Sequence, residues 1–465
     1  MPAELRDRYD VVIAGGGNAA LCAALEARRL GASVIIVEAA PIHLRGGNSR
    51  HTRNVRYKHT GPDNFLIGDY EEDEFFKDLL QVTGGETDEH LARLCINASE
   101  DLGDWIKGNG VRWQPALAGT LQLNRTNAFF LGGGKALVNA YYRCAEALGV
   151  EAIYDSPVQD ITSGDDELAV LIEHEGQPRR IKAGAVVAAS GGFEANIEWL
   201  SQYWGDAANN FLIRGTPFNR GGVLKALIDR GAKAIGNPQE YHAVACDARG
   251  PQFDGGIVTR VDCVPFGISV NIHAQRFSDE GADFWPKRYA SWGGLITRLP
   301  SQIMYSIVDS KAINEFMPSL YPPMQAQTIP ELARQLNLDT ETLVGTINDY
   351  NAHVVPGTFD PTKLDDCRTE GLEVPKSHWA QTIKDPPFYA YPLKAGITFT
   401  YHGVGITDQA EVLRDDGQLL AGVYAAGEVM AGNILGRGYL AGFGMTIGSV
   451  FGRIAGREAA KHALK

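Results

Sequence analysis

The sequence predicts an α/β fold: a Rossmann-like, mostly parallel sheet in a domain completed by both chain ends, with an α+β domain inserted between them. Three observations carry that expectation. Apolar runs ending in glycine recur near the start, the middle and the end of the chain. The first opens a strand–turn–helix–strand unit. A chain of 465 residues exceeds what one ordinary core holds together.

The first unit is "YDVVIAGGGNAALCAALEARRLGASVIIVEAA". Val11 to Ala14 read as a buried parallel strand, and Val34 to Val37 as a second. Between them Gly15, Gly17 and Ala20 form G-x-G-x-x-A. The first glycine permits the tight turn, the second lets backbone approach a pyrophosphate, and the small third residue lets helix pack on strand. The helix opened by Asn18 and Ala19 directs its unpaired N–H groups and dipole at an anion. Glu38 ends the second strand about 20 residues on, where a carboxylate meets a ribose hydroxyl. Strand, helix and acid coincide, so a dinucleotide site is expected; the motif does not separate NAD from FAD.

Two later runs complete the sheet. "AGAVVAASGGFEAN" ends in Ser190, Gly191 and Gly192, and "DGQLLAGVYAAGEVMAG" carries Gly427 and Glu428 at its end. A dinucleotide domain that resumes near the C-terminus leaves a separate domain inside it.

Composition bounds the function. The net charge of −13 argues against nonspecific nucleic-acid binding, and any arginines grouped on an anionic substrate act locally against that sign. The six cysteines are scattered without a C-x-x-C, so neither a ferredoxin-type cluster nor c-type haem attachment is encoded. Isolated cysteines suit a reducing compartment. The N-terminus lacks an apolar signal core, and no run reaches membrane-spanning length. A soluble, cytoplasmic protein is expected.

On these motifs the chain resembles the flavoprotein subunits of the succinate dehydrogenase/fumarate reductase family. The match runs through the G-x-G-x-x-A with Glu38, "GGNS" (Gly46, Gly47, Asn48, Ser49), "GGGKALVNAYY" with Gly133 and Gly134, "AASGGFEAN", "NIHAQRFSDE", "VYAAGEV" and "FGRIAGREAA". Within the family it is most similar to the tricarballylate-oxidising dehydrogenases, through "GGNSRHTRN", "RTNAFFLGGGKALVNA", "FLIRGTP", "DDCRTEGL" and "ILGRGYLAGFGMTIG". The resemblance implies FAD, held by the residues above together with Val158, Gly427, Glu428 and the helix turn at Gly442. It implies an FAD-binding domain at 1–238 and 380–465 and a capping domain at 239–379. It further implies hydride transfer from a small tricarboxylate, with electrons passed to a membrane-bound partner protein. A fumarate-type reductase, or a reductase or desaturase of another substrate, is the alternative.

The resemblance also assigns the substrate side. His242 stands where the family has a carboxylate-binding histidine, and Arg288 near its proton-transferring arginine. Arginine is a poor base by its own pKa and needs a relay. The family's Thr-Glu relay reads Thr259-Arg260 here, which leaves Asp262, Glu280 or Asp283 as substitutes. The family's "HTxGGV" reads "TFTYHGVGI": Thr400 is kept, the histidine becomes Phe399, and His402 replaces a glycine. The family's "NRLGG" reads "GYLAG", so Tyr439 replaces its arginine and Arg437 lies two residues earlier. Three carboxylates need three cationic grips, for which Arg260, Arg288, Arg437 and His242 are candidates, with Arg125 and Arg214 in reserve. His51-Thr52 resembles the segment that tethers FAD covalently in succinate dehydrogenases, but "GGNS" aligns with the noncovalent relatives, so noncovalent FAD is expected.

Overall fold

The computed structural model describes residues 5–116, 123–162, 167–283 and 285–465. The expected N-terminal unit forms as β1 (Arg8–Ala14), α1 (Asn18–Arg29) and β2 (Val34–Val37). Helix α2 (Gly133–Ala147) leads into β3 (Glu151–Ile153), and β4 is the long strand Gln177–Ala188. The second half supplies β5 (Tyr241–Asp247), β6 (Ile268–Val270), α3 (Trp285–Thr297) and β7 (Met304–Val308). It then adds β8 (Phe388–Thr400), β9 (Glu411–Leu413), β10 (Leu419–Ala425) and α4 (Phe443–Ala463).

The first sheet runs in the order β9-β10-β4-β1-β2-β3. Its centre is parallel: Val12 lies opposite Ile35 on one side and Val186 on the other, and Tyr424 opposite Val187. Val11 to Ala14 are fully buried, as a sheet covered on both faces requires. β10 comes from the C-terminal part, so both chain regions do close one sheet. Helix α4 packs along α1 through Gly448, Gly452 and Gly456, spaced one per turn. A methyl carbon at Gly452 would lie 2.5 Å from the Ala19 carbonyl oxygen, so only a glycine stripe lets the two backbones meet.

The second sheet runs β5-β8-β7-β6, with the short strands Leu212–Ile213 and Met324–Ala326 also paired to β8. Helix α3 lies on β5, where Gly293 meets the Ala243 backbone. A hairpin of Ile329–Leu336 and Thr340–Ala352 closes a second apolar core through Leu332, Leu343 and Ile347. The expected insertion at 239–379 supplies β5, β6, α3 and β7, yet the sheet reaches outside it. The central strand β8 lies after residue 379, and Leu212–Ile213 lies before residue 239. The thirteen residues of β8 run from this sheet to the cofactor side, ending at Thr400 beside Glu428.

Among the described residues no helix is long and apolar enough to cross a membrane, and no group of three metal-ligating side chains occurs. All six cysteines are free.

Candidate active site

A cavity of about 600 Å³ runs from the glycine turn of β1 to the face of the second sheet. Its volume lies in the range of cofactor and ligand sites. One end is a backbone cradle. Gly15 adopts φ +115°, and a methyl there would strike the Ala189 carbonyl. Gly17 caps α1, and the Asn18 N–H donates to Ser49 Oγ at 2.9 Å. The Asn18 amide donates to the Met445 carbonyl and to Ser449 Oγ, which ties the α1 terminus to α4. Glu38 is buried, and its carboxylate accepts from the N–H groups of Ala40 (2.9 Å) and Gly46 (3.3 Å). Burial pushes its carboxyl pKa up.

This end fits a dinucleotide on three grounds. The glycine turn presents bare backbone to the cavity, and at Gly15 and Gly16 a side chain would clash with Ala189, Tyr142 and Glu38. The hydroxyl of Ser190 is buried on the lining without a hydrogen-bond partner. At the far side Gly442, at φ +81°, caps α4, and a methyl there would press on the Asn54 and Asn127 side chains at 2.6 Å. Gly17, Asn18, Ala19, Glu38, Gly47, Asn48, Ser49, Val158, Gly191, Gly427 and Glu428 all line the cavity. Ala20, Gly46, Gly133 and Gly134 do not. Ala20 packs in the core, Gly46 against Val138, and the Gly134 N–H donates to the Thr52 carbonyl at 2.7 Å, holding the Gly47–His51 segment from behind.

A carboxyl pair sits under the same wall. Glu428 accepts from the Thr400 N–H (2.7 Å) and hydroxyl (3.1 Å); Glu194 accepts from the Asn48 and Asn219 amides at 2.6 and 2.8 Å. The two carboxyls are close enough that each affects the other's ionisation. Burial and the neighbouring carboxyl raise the Glu428 pKa well above the usual range, so the pair retains a proton.

The other end is cationic. Arg53, Arg214 and Arg260 line it with His51, His242, Tyr289, Phe399 and Tyr439. Arg260 pairs with Asp262 through two contacts of 2.7 Å. Arg214 donates from Nε to Thr398 Oγ1 at 2.9 Å, while its Nη1 is buried with no partner. Among the described residues no carboxylate lies within ion-pair distance of Arg53 or Arg214. Burial and then the Arg260 charge pull Arg53 down to about 10, and burial lowers Arg214 also. His242, buried beside Arg214 and Arg260, is held well below its ordinary pKa and is neutral. His51 contacts Asp254 at 2.6 Å.

Other residues expected at the substrate lie elsewhere. Arg437 is half exposed, donating to the Thr83 carbonyl at 3.1 Å and facing Glu86 at 3.5 Å, outside the lining. His402 contacts the Ile235 carbonyl at 3.1 Å and packs edge-on against Phe193 and Trp199. Thr259 is buried with its hydroxyl on the Gly256 carbonyl, and Thr400 is spent on Glu428. Arg288 also lies outside the lining, its Nε buried without a partner. Arg125 forms an exposed pair with Glu74. Of the candidate relay acids, Glu280 is engaged by Arg276 and by the Ser269 N–H, Asp283 accepts from Gln81, and Asp262 alone adjoins the cavity, through Arg260. Arg53 and Tyr289 were not singled out by the sequence. Arg53 lies in "GGNSRHTRN", two residues after His51, and that was its one available signal.

A family model described as FAD binding domain matches residues 10–444. The chain is 27% identical over 476 residues to an NADH:fumarate oxidoreductase of Klebsiella pneumoniae (strain 342), covering 98% of this chain and 48% of that protein. It thus spans about half the length of that relative. It is 26% identical over 475 residues to a probable fumarate reductase, Ifc3, of Shewanella frigidimarina (strain NCIMB 400), covering 98% and 75%. Its fold is similar to the open conformation of a flavocytochrome c3 fumarate reductase: TM-score 0.77, 22% identity, 100% of this chain and 80% of that one.

Proposed function

This chain belongs to the FAD-binding family of succinate dehydrogenase/fumarate reductase flavoproteins, and we propose that it is an FAD-dependent oxidoreductase that oxidises tricarballylate to cis-aconitate. The observation that carries this reading is the pair of half-buried guanidiniums, Arg53 and Arg214, which have no carboxylate within ion-pair distance among the described residues, on a cavity that also holds Arg260. A buried charge without a counter-ion is costly, and an anionic ligand removes that cost. Arg53 and Arg214 offer two unpaired guanidiniums for two carboxylates, and Arg260, held by Asp262 through Nε and Nη2, offers its remaining Nη1 to a third.

Bound FAD supplies a two-electron acceptor for a hydride. Gly15, Gly17, Glu38, Ser49, Ser190 and Glu428 would hold it. Arg53, Arg214 and Arg260 orient the substrate by its carboxylates, which fixes the reacting carbons against the cofactor. Phe399 and the stacked His242 and Tyr439 rings present a water-poor wall that strengthens those charge contacts. We assign the electron acceptor to a separate membrane-bound protein and the FAD to noncovalent attachment. We assign 1–238 and 380–465 to the cofactor domain and 239–379 to the cap. Reduction of a diacid such as fumarate is the second reading, favoured by the activity for which the relatives are named.

The test is product analysis. Holoenzyme given tricarballylate and an artificial electron acceptor should yield cis-aconitate by NMR. Turnover of succinate with tricarballylate inert would overturn the substrate assignment.

A further inference from the structure

One residue along α3 from Arg288, Tyr289 faces the cavity that Arg288 does not reach. Its ring is buried, with the Arg260 guanidinium 4.5 Å from the ring centroid and the His242 ring edge-on at 5.9 Å. Among the described residues its hydroxyl has no hydrogen-bond partner. Arg53, Arg214 and Arg260 at this end are assigned to the substrate carboxylates, and the remaining proton-bearing side chains each face another group. Tyr439 oxygen accepts from the Gly444 N–H at 3.1 Å, and His51 faces Asp254. His242 lies flat against Tyr439 between two arginines. Glu38 and Glu428 belong to the cofactor end.

We propose that Tyr289 is the catalytic residue that exchanges the proton at the substrate carbon, a role the sequence pattern points to Arg288 for. This rests on reading the cavity as a site for CH–CH oxidation and reduction. In oxidation the C–H bond beside a carboxylate breaks, its proton forms the O–H bond of Tyr289, and its electron pair forms the new C=C bond. The hydride leaving the neighbouring carbon carries two electrons to the FAD acceptor. In reduction each bond change reverses, and Tyr289 donates.

Burial raises the Tyr289 pKa, while Arg260, Arg214, Arg53 and Arg56 lower it; burial prevails. His242, which faces it, is neutral, and Tyr439 stays protonated through burial. At neutral pH Tyr289 is therefore a phenol, ready to donate. Oxidation needs its ionised form, so the oxidative rate rises with pH, about tenfold per unit below the Tyr289 pKa.

The test compares wild type, Tyr289→Phe and Arg288→Ala as FAD-loaded enzymes. Phenylalanine keeps the ring under Arg260 and removes the hydroxyl. Tyr289→Phe should slow anaerobic flavin reduction by tricarballylate at least a hundredfold and flatten its pH profile. Its FAD content should be unchanged and its calorimetric tricarballylate Kd within threefold of wild type. Arg288→Ala should stay within tenfold of wild type in rate. Wild-type-like reduction or an unchanged pH profile in Tyr289→Phe, or a hundredfold loss in Arg288→Ala alone, overturns the assignment. If tricarballylate fails to reduce wild type, the substrate reading falls. The variants are then compared as dithionite-reduced enzyme with fumarate, where the same hundredfold loss in Tyr289→Phe is required.

Discussion

The imidazole of His242 lies flat on the phenol of Tyr439, with ring centroids 3.8 Å apart and planes 11° from parallel. Tyr439 stands where the family resemblance places an arginine, and a cation there would lie against the His242 ring. Its replacement by an aromatic ring makes a wall of that position, while cationic duty falls to Arg53, Arg214 and Arg260.

A neutral His242 has a consequence for stability. Its folded pKa lies below the unfolded value of about 6.5, so the unfolded chain takes up a proton that the native state refuses. His51, pulled by burial to about 4, does the same. Stability should therefore fall as pH drops below about 6.5, at up to roughly 1.4 kcal/mol per unit for each histidine. His242→Gln should flatten that slope in urea titrations between pH 7 and pH 5. A slope identical to wild type would show that His242 is charged in the native protein.

The buried Glu194–Glu428 pair has the opposite sign. Both folded pKa values are raised, so the stability these groups contribute is present at low pH and is lost as pH rises through those values. Glu194→Gln turns a carboxyl pair into an amide donating to a carboxylate. At pH 8 it should be more stable than wild type by about 1 kcal/mol, the scale of one hydrogen bond, with the gain gone at pH 4. A melting temperature below wild type at pH 8 would contradict the shared proton.

Removing either unpaired guanidinium should weaken substrate and spare cofactor. Arg53→Ala and Arg214→Ala should each raise the tricarballylate Kd by roughly tenfold to a hundredfold, from about 1.5–3 kcal/mol per charged hydrogen bond. Arg437→Ala should stay within threefold, since its guanidinium faces Thr83 and Glu86 in solvent. Calorimetry on the three variants decides; an Arg437 effect larger than the other two would relocate the site.

Acid precipitation should release the yellow cofactor into the supernatant, as noncovalent FAD requires. Gly15→Ala should yield protein depleted in FAD, because its methyl would occupy the Ala189 carbonyl. Colour retained in the wild-type pellet would instead assign His51, which lines the cavity, to a covalent bond.

The cofactor end was readable because its signals are local: Gly15, Gly17 and Glu38 lie in one strand–turn–helix–strand unit, where spacing determines geometry. The substrate end was not, because its residues come from separate elements. Arg53 follows the Gly47–His51 segment, Arg214 follows a two-residue strand, and Arg260 bridges to β5 at Cys246. Helix phase separated Arg288 from Tyr289, a difference of one residue that no motif encodes. Arg437 lies outside the lining because its guanidinium meets the Thr83 carbonyl, 354 positions away in sequence, a contact no local pattern encodes. That β8 would serve both the second sheet and the cofactor wall was not legible, because nothing in its apolar run marks where one role ends and the other begins.

The reading stands on a cavity whose half-buried Arg53 and Arg214, with no carboxylate at ion-pair distance among the described residues, bind a triacid for oxidation. The most direct measurement is anaerobic stopped-flow absorbance near about 450 nm, the oxidised-flavin band, with tricarballylate and succinate mixed separately with wild type. Rapid, saturable bleaching by tricarballylate, with succinate at least a hundredfold slower at equal concentration, is the predicted result. Bleaching by succinate with tricarballylate inert would contradict it.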